Sequence, residues 1–430
     1  FGVGFNLKPK TWRLKFFTGT SQQGVDYAAL PLPGVTGAYK RNHWMFQLGK
    51  EEEGKYNFAL NFSKGKDKIS SVNSPPLTVQ PQEGLAASLV AEVYWNKGWY
   101  LKTEAAQSYF TRDLTQPYAA NLDNSFKPFI TGRTSTGKDW AGNASVGKKS
   151  DNFDISYTTR YIGAGFQTTG YPYLQPDRWE NTVNTRFNAW KNKMNVVASV
   201  GQRTNNLSNT ALTAKQFLAS LNWFIQFTDR FNTNISYNNF GFTAASGTNP
   251  YGLKNVSNDI GMMASYNWSN TNRMNMISIN YSYSKYDERD VITGITSSNN
   301  THTVLLSYVP TYLHSSFAPD FSVLYFNNAM AVAKTSIVTL SSGFSTEALK
   351  KKAALRAQLQ YTIGKTGHYS SNKNLLASVN MDYKLSKKLA WNVFLGANHF
   401  KYGNELAPPA MLDGANYFET NYRTGFLYKF

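Results

Sequence analysis

Between Glu180 and Asn206 the chain reads ENTVNTRFNAWKNKMNVVASVGQRTNN, and its apolar residues recur at every second position. Val183, Thr185, Phe187 and Ala189 share one parity, and Asn184, Arg186 and Asn188 the other. Lys191-Asn192-Lys193 then turns the chain, and Met194, Val196, Ala198 and Val200 resume the apolar row. A side-chain period of two belongs to a β-strand with one oily and one wet face, not to an amphipathic helix. The same alternation runs from Tyr56 to Phe62, Phe217 to Phe227, Phe231 to Tyr237 and Leu375 to Leu385. Only TEALKKKAALRAQ, from Thr346 to Gln358, is open to a helical reading, and its second half suits a strand equally well.

Strands with an oily face need a cover, and this chain has no helices to supply one. Composition narrows the choice. Of the 430 residues 41% are hydrophobic, no apolar run is long enough for a helical span, and mean hydropathy is −0.43. A barrel in a bilayer keeps such a polar average because only alternate residues meet lipid, and closure satisfies every backbone group.

The connections have a matching rhythm. Short turns at Lys50, Asn96, Lys149, Lys191, Thr228 and Leu385 alternate with polar segments of roughly eight to thirty residues. The longest of these run Thr18 to Val35, Gly65 to Glu83, Thr111 to Lys138 and Gly403 to Ala415. The expected fold is all-β: a transmembrane antiparallel up-and-down β-barrel of about 20 strands, in a range of roughly 18 to 26. Short turns would face the periplasm and long loops the outside, in a single domain over residues 1–430. Aromatic residues at Tyr94, Trp95, Trp99, Tyr109, Phe110, Trp190, Trp268, Trp391 and Phe400 fall where interfacial girdles are expected. A soluble β-sandwich or propeller would turn the same alternation toward a protein core, but with shorter loops on both sides.

Counting strand direction back from Phe430 puts Phe1 outside, with Phe1, Val3, Phe5 and Leu7 already alternating. Bacterial barrels have an even strand number with both ends in the periplasm, so further strands are expected upstream of Phe1 or from a partner chain.

Chemical motifs are sparse. His43, His302, His314, His368 and His399 are scattered without metal-ligand spacing, and each reads as a loop or lumen polar group. No GxSxG elbow occurs, and a hydrolase would need a Ser and a His brought together across strands. GRTSTGK at Gly132 and SGFST at Ser342 lack the strand-then-helix context of a phosphate loop. The expectation is of no enzyme, no metal and no cofactor. Cysteine is absent, which suits an oxidising compartment.

The net charge of +18 is spread over turns and loops rather than gathered in one stripe, so nucleic acid is not an expected partner. Outer-membrane lipid and lipopolysaccharide phosphates are the expected anions. Arg13, Lys15, Lys102, Arg160, Arg186, Lys384 and Arg423 fall on the polar parity, as do the acids Glu92, Glu104, Asp154, Asp382 and Glu419. Such a mixed lumen either creates a transverse field in a diffusion pore or pairs into an ion network that plugs a closed barrel.

The C-terminal stretch FETNYRTGFLYKF sets Phe418, Thr420, Tyr422, Thr424, Phe426, Tyr428 and Phe430 on one face. It resembles the last-strand signal read by the barrel assembly machinery of bacterial outer membranes, with Phe426, Tyr428 and Phe430 as its candidate residues. The stretches YIGAGFQTTGYPYLQPDRWENTVNTRF, KNKMNVVASVGQRTNNLSNT and FGVGFNLKPKTWRLKFFTG resemble segments of large uncharacterised outer-membrane β-barrel proteins of Bacteroidota. That resemblance implies architecture and residence in the bacterial cell outer membrane, and carries no activity. The first functional expectation is a pore or transporter that passes solutes across that membrane. The second is a structural or accessory barrel in a complex for secretion, assembly or surface-protein handling, with protein partners of its own.

Overall fold

A computed structural model describes residues 2–26, 37–74, 79–119, 129–171, 174–209, 213–246, 249–290, 294, 296–331, 333–349, 352–367, 371–386, 388–403 and 416–428. Twenty-one strands in one antiparallel sheet make up nearly all of its regular structure, and the only helical pieces described are two single turns of 3₁₀ helix. Among the described residues no helix is long and apolar enough to cross a membrane. The expected fold class is the one the chain adopts: all-β, antiparallel, with strands joined up-and-down in chain order. The strands form two compact units, residues 1–187, 199–218 and 244–251, and residues 188–198, 219–243 and 252–430.

In the first unit β1 (Gly2–Leu7), β2 (Trp12–Gln22), β3 (Lys40–Glu52), β4 (Tyr56–Lys68) and β5 (Glu83–Trp95) pair in succession. β6 (Trp99–Thr111), β7 (Thr136–Lys149), β8 (Phe153–Ile162) and β9 (Arg178–Ala189) continue the series. Four strands, β10 (Met194–Asn205), β11 (Ala214–Gln226), β12 (Phe231–Ser246) and β13 (Asn249–Ser269), carry the chain between the units. The second unit then adds β14 (Arg273–Asp290), β15 (Thr296–Tyr312), β16 (Ala318–Met330) and β17 (Lys334–Ala348). It ends with β18 (Ala353–Thr366), β19 (Asn372–Lys384), β20 (Leu389–Lys401) and β21 (Asn416–Tyr428).

Register converts the alternation into faces. Val183 lies opposite Tyr157, and Leu340, Tyr361, Leu375 and His399 form one row across β17 to β20. Next to it, Asn184 lies opposite Ser156, and Ser341, Gln360 and Leu376 form the row of the other face. Each unit therefore has an apolar and a polar face. Away from the loop ends of β4 to β6 the apolar face is uncovered: Leu89 is 63% exposed and Leu395 50%. In water an uncovered face of this extent is unfavourable, since each large side chain forgoes about 1.5 to 3 kcal/mol of burial.

Three features differ from the sequence expectation. Thr346 to Gln358 is strand, turn and strand: β17 ends at Ala348, Leu349 takes φ +54°, and Lys352 N–H donates to Leu349 O at 3.2 Å. Neighbouring strand edges offer that segment a ladder that outweighs its helical composition. Long connections run at 23–39, 69–82, 112–135 and 163–177 in the first half and again at 402–415, between β20 and β21. Between β12 and β19 the other connections at that end shrink to residues such as 331–333 and 367–371, while β13, β14 and β15 reach 21, 18 and 17 residues. There the Ser, Asn and Tyr alternation continues past the expected strand ends, and backbone groups stay paired in the ladder.

The aromatic girdle is the third. Trp95, Trp99, Trp268 and Trp391 sit on the apolar face near the turn ends. Tyr94, Phe110 and Phe400 lie on the polar face instead, and Tyr109 is buried with Leu85 and Ile130 beneath the β6–β7 connection. The segments around Pro31, Pro75, Phe126 and Pro408 lie outside the described residues, as does Phe430.

Candidate functional site

The connection between β8 and β9, residues 163–177, does not continue away from the strand ends; it folds back over the polar face. Gly163 N–H donates to Trp140 O at 3.0 Å, and Gly165 N–H to the Asp139 carboxylate of β7 at 2.6 Å. Gln167 N–H reaches Ser108 Oγ of β6 at 3.3 Å. Phe166 packs with Ala141 and Ile162, against Ala106. At the far end Thr169 Oγ1 lies 2.9 Å from His43 Nε2 of β3, while His43 Nδ1 lies 3.1 Å from Ser21 Oγ of β2.

Thr169 rests on glycines. A Cβ on Gly65 would come within 2.4 Å of Thr169 Oγ1, and one on Gly84 within 2.9 Å of Thr169 Cγ2. The segment thus crosses the polar face from β7 to β3 over a floor kept low by two glycines. Ser21 and His43 are the across-strand pair that a hydrolase would need, but both imidazole nitrogens are engaged by hydroxyls, and His43 and Thr169 are 3% and 7% exposed. The geometry is that of an anchor. No cluster of three His, Cys, Asp or Glu fit to hold a metal ion occurs among the described residues.

On either side of Phe166 the segment bounds two clefts that share Glu104 and Ala106. The larger, about 780 Å³, runs past Lys15, Gln47, Asn61 and Ser88. The smaller, about 240 Å³, lies between Glu104, Asn143, Arg160 and Arg178.

All eleven candidate lumen charges, Arg13, Lys15, Glu92, Lys102, Glu104, Asp154, Arg160, Arg186, Asp382, Lys384 and Arg423, lie on the polar face of their units. Toward the turn ends of the first unit they are matched. Glu92 stands opposite Lys102, Asp154 opposite Arg186, and Arg13 pairs with Glu51. Tyr100 hydroxyl donates to Asp154 at 2.9 Å, and Lys102 Nζ lies 5.4 Å from the Tyr100 ring. Near the loop ends Arg203 takes Glu180 at 2.6 Å, and Arg160 and Arg178 face the smaller cleft. In the second unit Asn392 donates to Asp382 and the Arg423 guanidinium lies 5.4 Å from the Phe394 ring; Lys384 is opposite Ala390. Phe426 and Tyr428 are exposed on the apolar face of β21.

The histidines divide. His43 is the anchor, and His314 lies in the turn after β15. His302 and His399 are on the apolar face rather than in loops or on the polar face, with Tyr281 hydroxyl 3.0 Å from His302 Nδ1. His368 lies outside the described residues. The 163–177 segment and its glycine floor were not foreseen in the sequence, although Gly163, Gly165 and Gly170 crowd there.

The described parts of a second long connection, 112–119 and 129–135, take the opposite course and cover the apolar face at the loop ends of β4 to β6. They bury Glu83 completely between Lys64 and Lys66, each 3.2 Å away, and Thr131 N–H donates to the same carboxylate at 3.2 Å.

No family model and no curated protein matches the chain. Among solved structures it is similar to a mutant ferric enterobactin receptor of Pseudomonas aeruginosa, at 10% identity and a TM-score of 0.42, over 100% of this chain and 77% of that one. It is also similar to a bacterial polysaccharide outer membrane secretin (12% identity, TM-score 0.30, 78% of this chain and 99% of that one). A third is OccAB4 of Acinetobacter baumannii (11% identity, TM-score 0.33, 87% and 97%).

Proposed function

We infer that the chain works in the bacterial outer membrane as a β-barrel that passes solutes, with its polar face lining the path and residues 163–177 narrowing it. The observation that carries this reading is the pairing of an uncovered apolar face with a charged polar face that is itself crossed by an anchored segment. Lipid is the cover that the apolar face calls for, because an uncovered row of Leu, Val and Phe is costly in water and favourable in hydrocarbon. The matched charges favour a path over a plug in one respect. Those that pair do so with neighbours along the face, as Arg13 with Glu51 and Arg203 with Glu180 do, rather than across it.

Planar-bilayer recording of the refolded protein tests the proposal. Steady open conductance is expected, and it should rise when residues 164–170 are replaced by a short Gly-Ser linker. Silence in both forms, with partner proteins retained on purification from native membranes, would instead support an accessory barrel.

A further inference from the structure

The smaller cleft carries an uneven set of charges. Arg203 is committed to Glu180 at 2.6 Å and also donates to Gln216 Oε1 at 3.3 Å. Arg178, two residues before Glu180 and on the same face of β9, has its Nε buried with no hydrogen-bond partner. Arg160 stands opposite Glu180 in the β8–β9 register, yet the carboxylate is taken from the other side by Arg203. Two guanidinium groups are therefore left facing one cleft, with no carboxylate of their own among the described residues.

Across the cleft stands Glu104. In register it lies opposite Asn143, which lies opposite Arg160, so the acid and the arginine are two strands apart, about 10 Å between backbones. No hydrogen bond or ion pair engages the Glu104 side chain among the described residues. The wall between these charges is apolar, made by Ile162, Phe166 and Leu174.

We propose that this cleft binds a small zwitterion of the amino-acid or dipeptide class, its carboxylate held by Arg160 and Arg178, its ammonium by Glu104, and its side chain against Phe166 and Leu174. A volume of about 240 Å³ suits one such molecule. Guanidinium groups match a carboxylate in bidentate fashion, and a buried Nε without a partner gains the bond it lacks. A simple anion would leave Glu104 unmatched and repelling, and a simple cation would do the same to the arginines. The site gives the proposed path its solute class and so rests on that reading, but binding can be measured without transport.

The test is titration calorimetry of the refolded protein in detergent with leucine, N-acetyl-leucine and leucinamide. Leucine is expected to bind, and blocking either end should weaken binding about tenfold or more. Arg160→Gln with Arg178→Gln should remove the preference for leucine over leucinamide. Glu104→Gln should remove the preference over N-acetyl-leucine. Heat-modifiability gels establish that each variant folds, and Lys15→Gln, in the larger cleft, serves as a control that leaves both preferences intact. Equal binding of all three ligands, or preferences that survive in the variants, would overturn the proposal. Binding without conductance would retire the pore and keep the site, whereas conductance without binding would do the reverse.

Discussion

Val379 and Asn380 are chain neighbours with opposite surroundings. Val379 lies between Ala357 and Leu395 on the apolar face, and Asn380 between Arg356 and Phe394 on the polar one. Val196 and Asn195 stand in the same relation, Asn195 donating to Asn188. Val196→Arg and Val379→Arg should impair insertion, since a charge at mid-bilayer costs roughly 2 to 4 kcal/mol, while Asn195→Arg and Asn380→Arg should insert normally. Folding yields in heat-modifiability gels check this, and equal yields for both pairs would contradict the face assignment. At Asp113, in the β6–β7 connection, the Thr115 hydroxyl holds the carboxyl below its usual range; burial opposes this, and Thr115 N–H, Gln116 and Arg133 add to it. Its support of that turn is complete above the ordinary carboxylate range and is lost as pH falls through the lowered value. Amide exchange at Thr115, corrected for intrinsic rate, should therefore be slow at about pH 6 and faster below about pH 3. The face of each charge was legible in the sequence because parity is local. Its partner was not: the capture of Glu180 by Arg203, or the contact of His43 with Thr169, depends on register and on a folded-back connection that no single strand encodes.

Among the elements, strands and turns were read well, and connections poorly. The turns at Asn96 and Lys191 lie where short polar stretches interrupt the alternation. Loop length misled in the second unit, where Ser- and Tyr-rich segments such as ISINYSYSKYDERD stay in the ladder. The 163–177 segment was invisible because its determinants, Gly65, Gly84, Ser108 and Asp139, are scattered over four strands. It yields a prediction of its own. Gly65→Val should push Thr169 off its floor and free the segment while the strands remain paired. Limited proteolysis should then cut between 163 and 177, and bilayer conductance should rise. A variant as resistant to protease as the parent would show that the glycine floor does not hold the segment.

For the whole molecule, strand order and turn positions set a topology. In the first unit the turns at Lys50 and Lys149 share one end of the strands and the segments 163–177 and 112–135 start from the other; in chain order the turns at Lys191 and Thr228 fall at alternate strand ends like those at Lys50 and Lys149. Amine labelling of intact cells should spare Lys191 and Lys193 and reach Lys138; the reverse pattern would invert the orientation.

The central claim is that one face of this sheet meets water and the other lipid, and the cysteine-free sequence allows a direct test. Single cysteines are placed in turn at Leu376, Ala377, Ser378, Val379 and Asn380 of β19, and each variant is exposed in membranes to a charged, membrane-impermeant thiol reagent. The account predicts labelling at 376, 378 and 380 and protection at 377 and 379. Uniform labelling, uniform protection, or the opposite parity would contradict it.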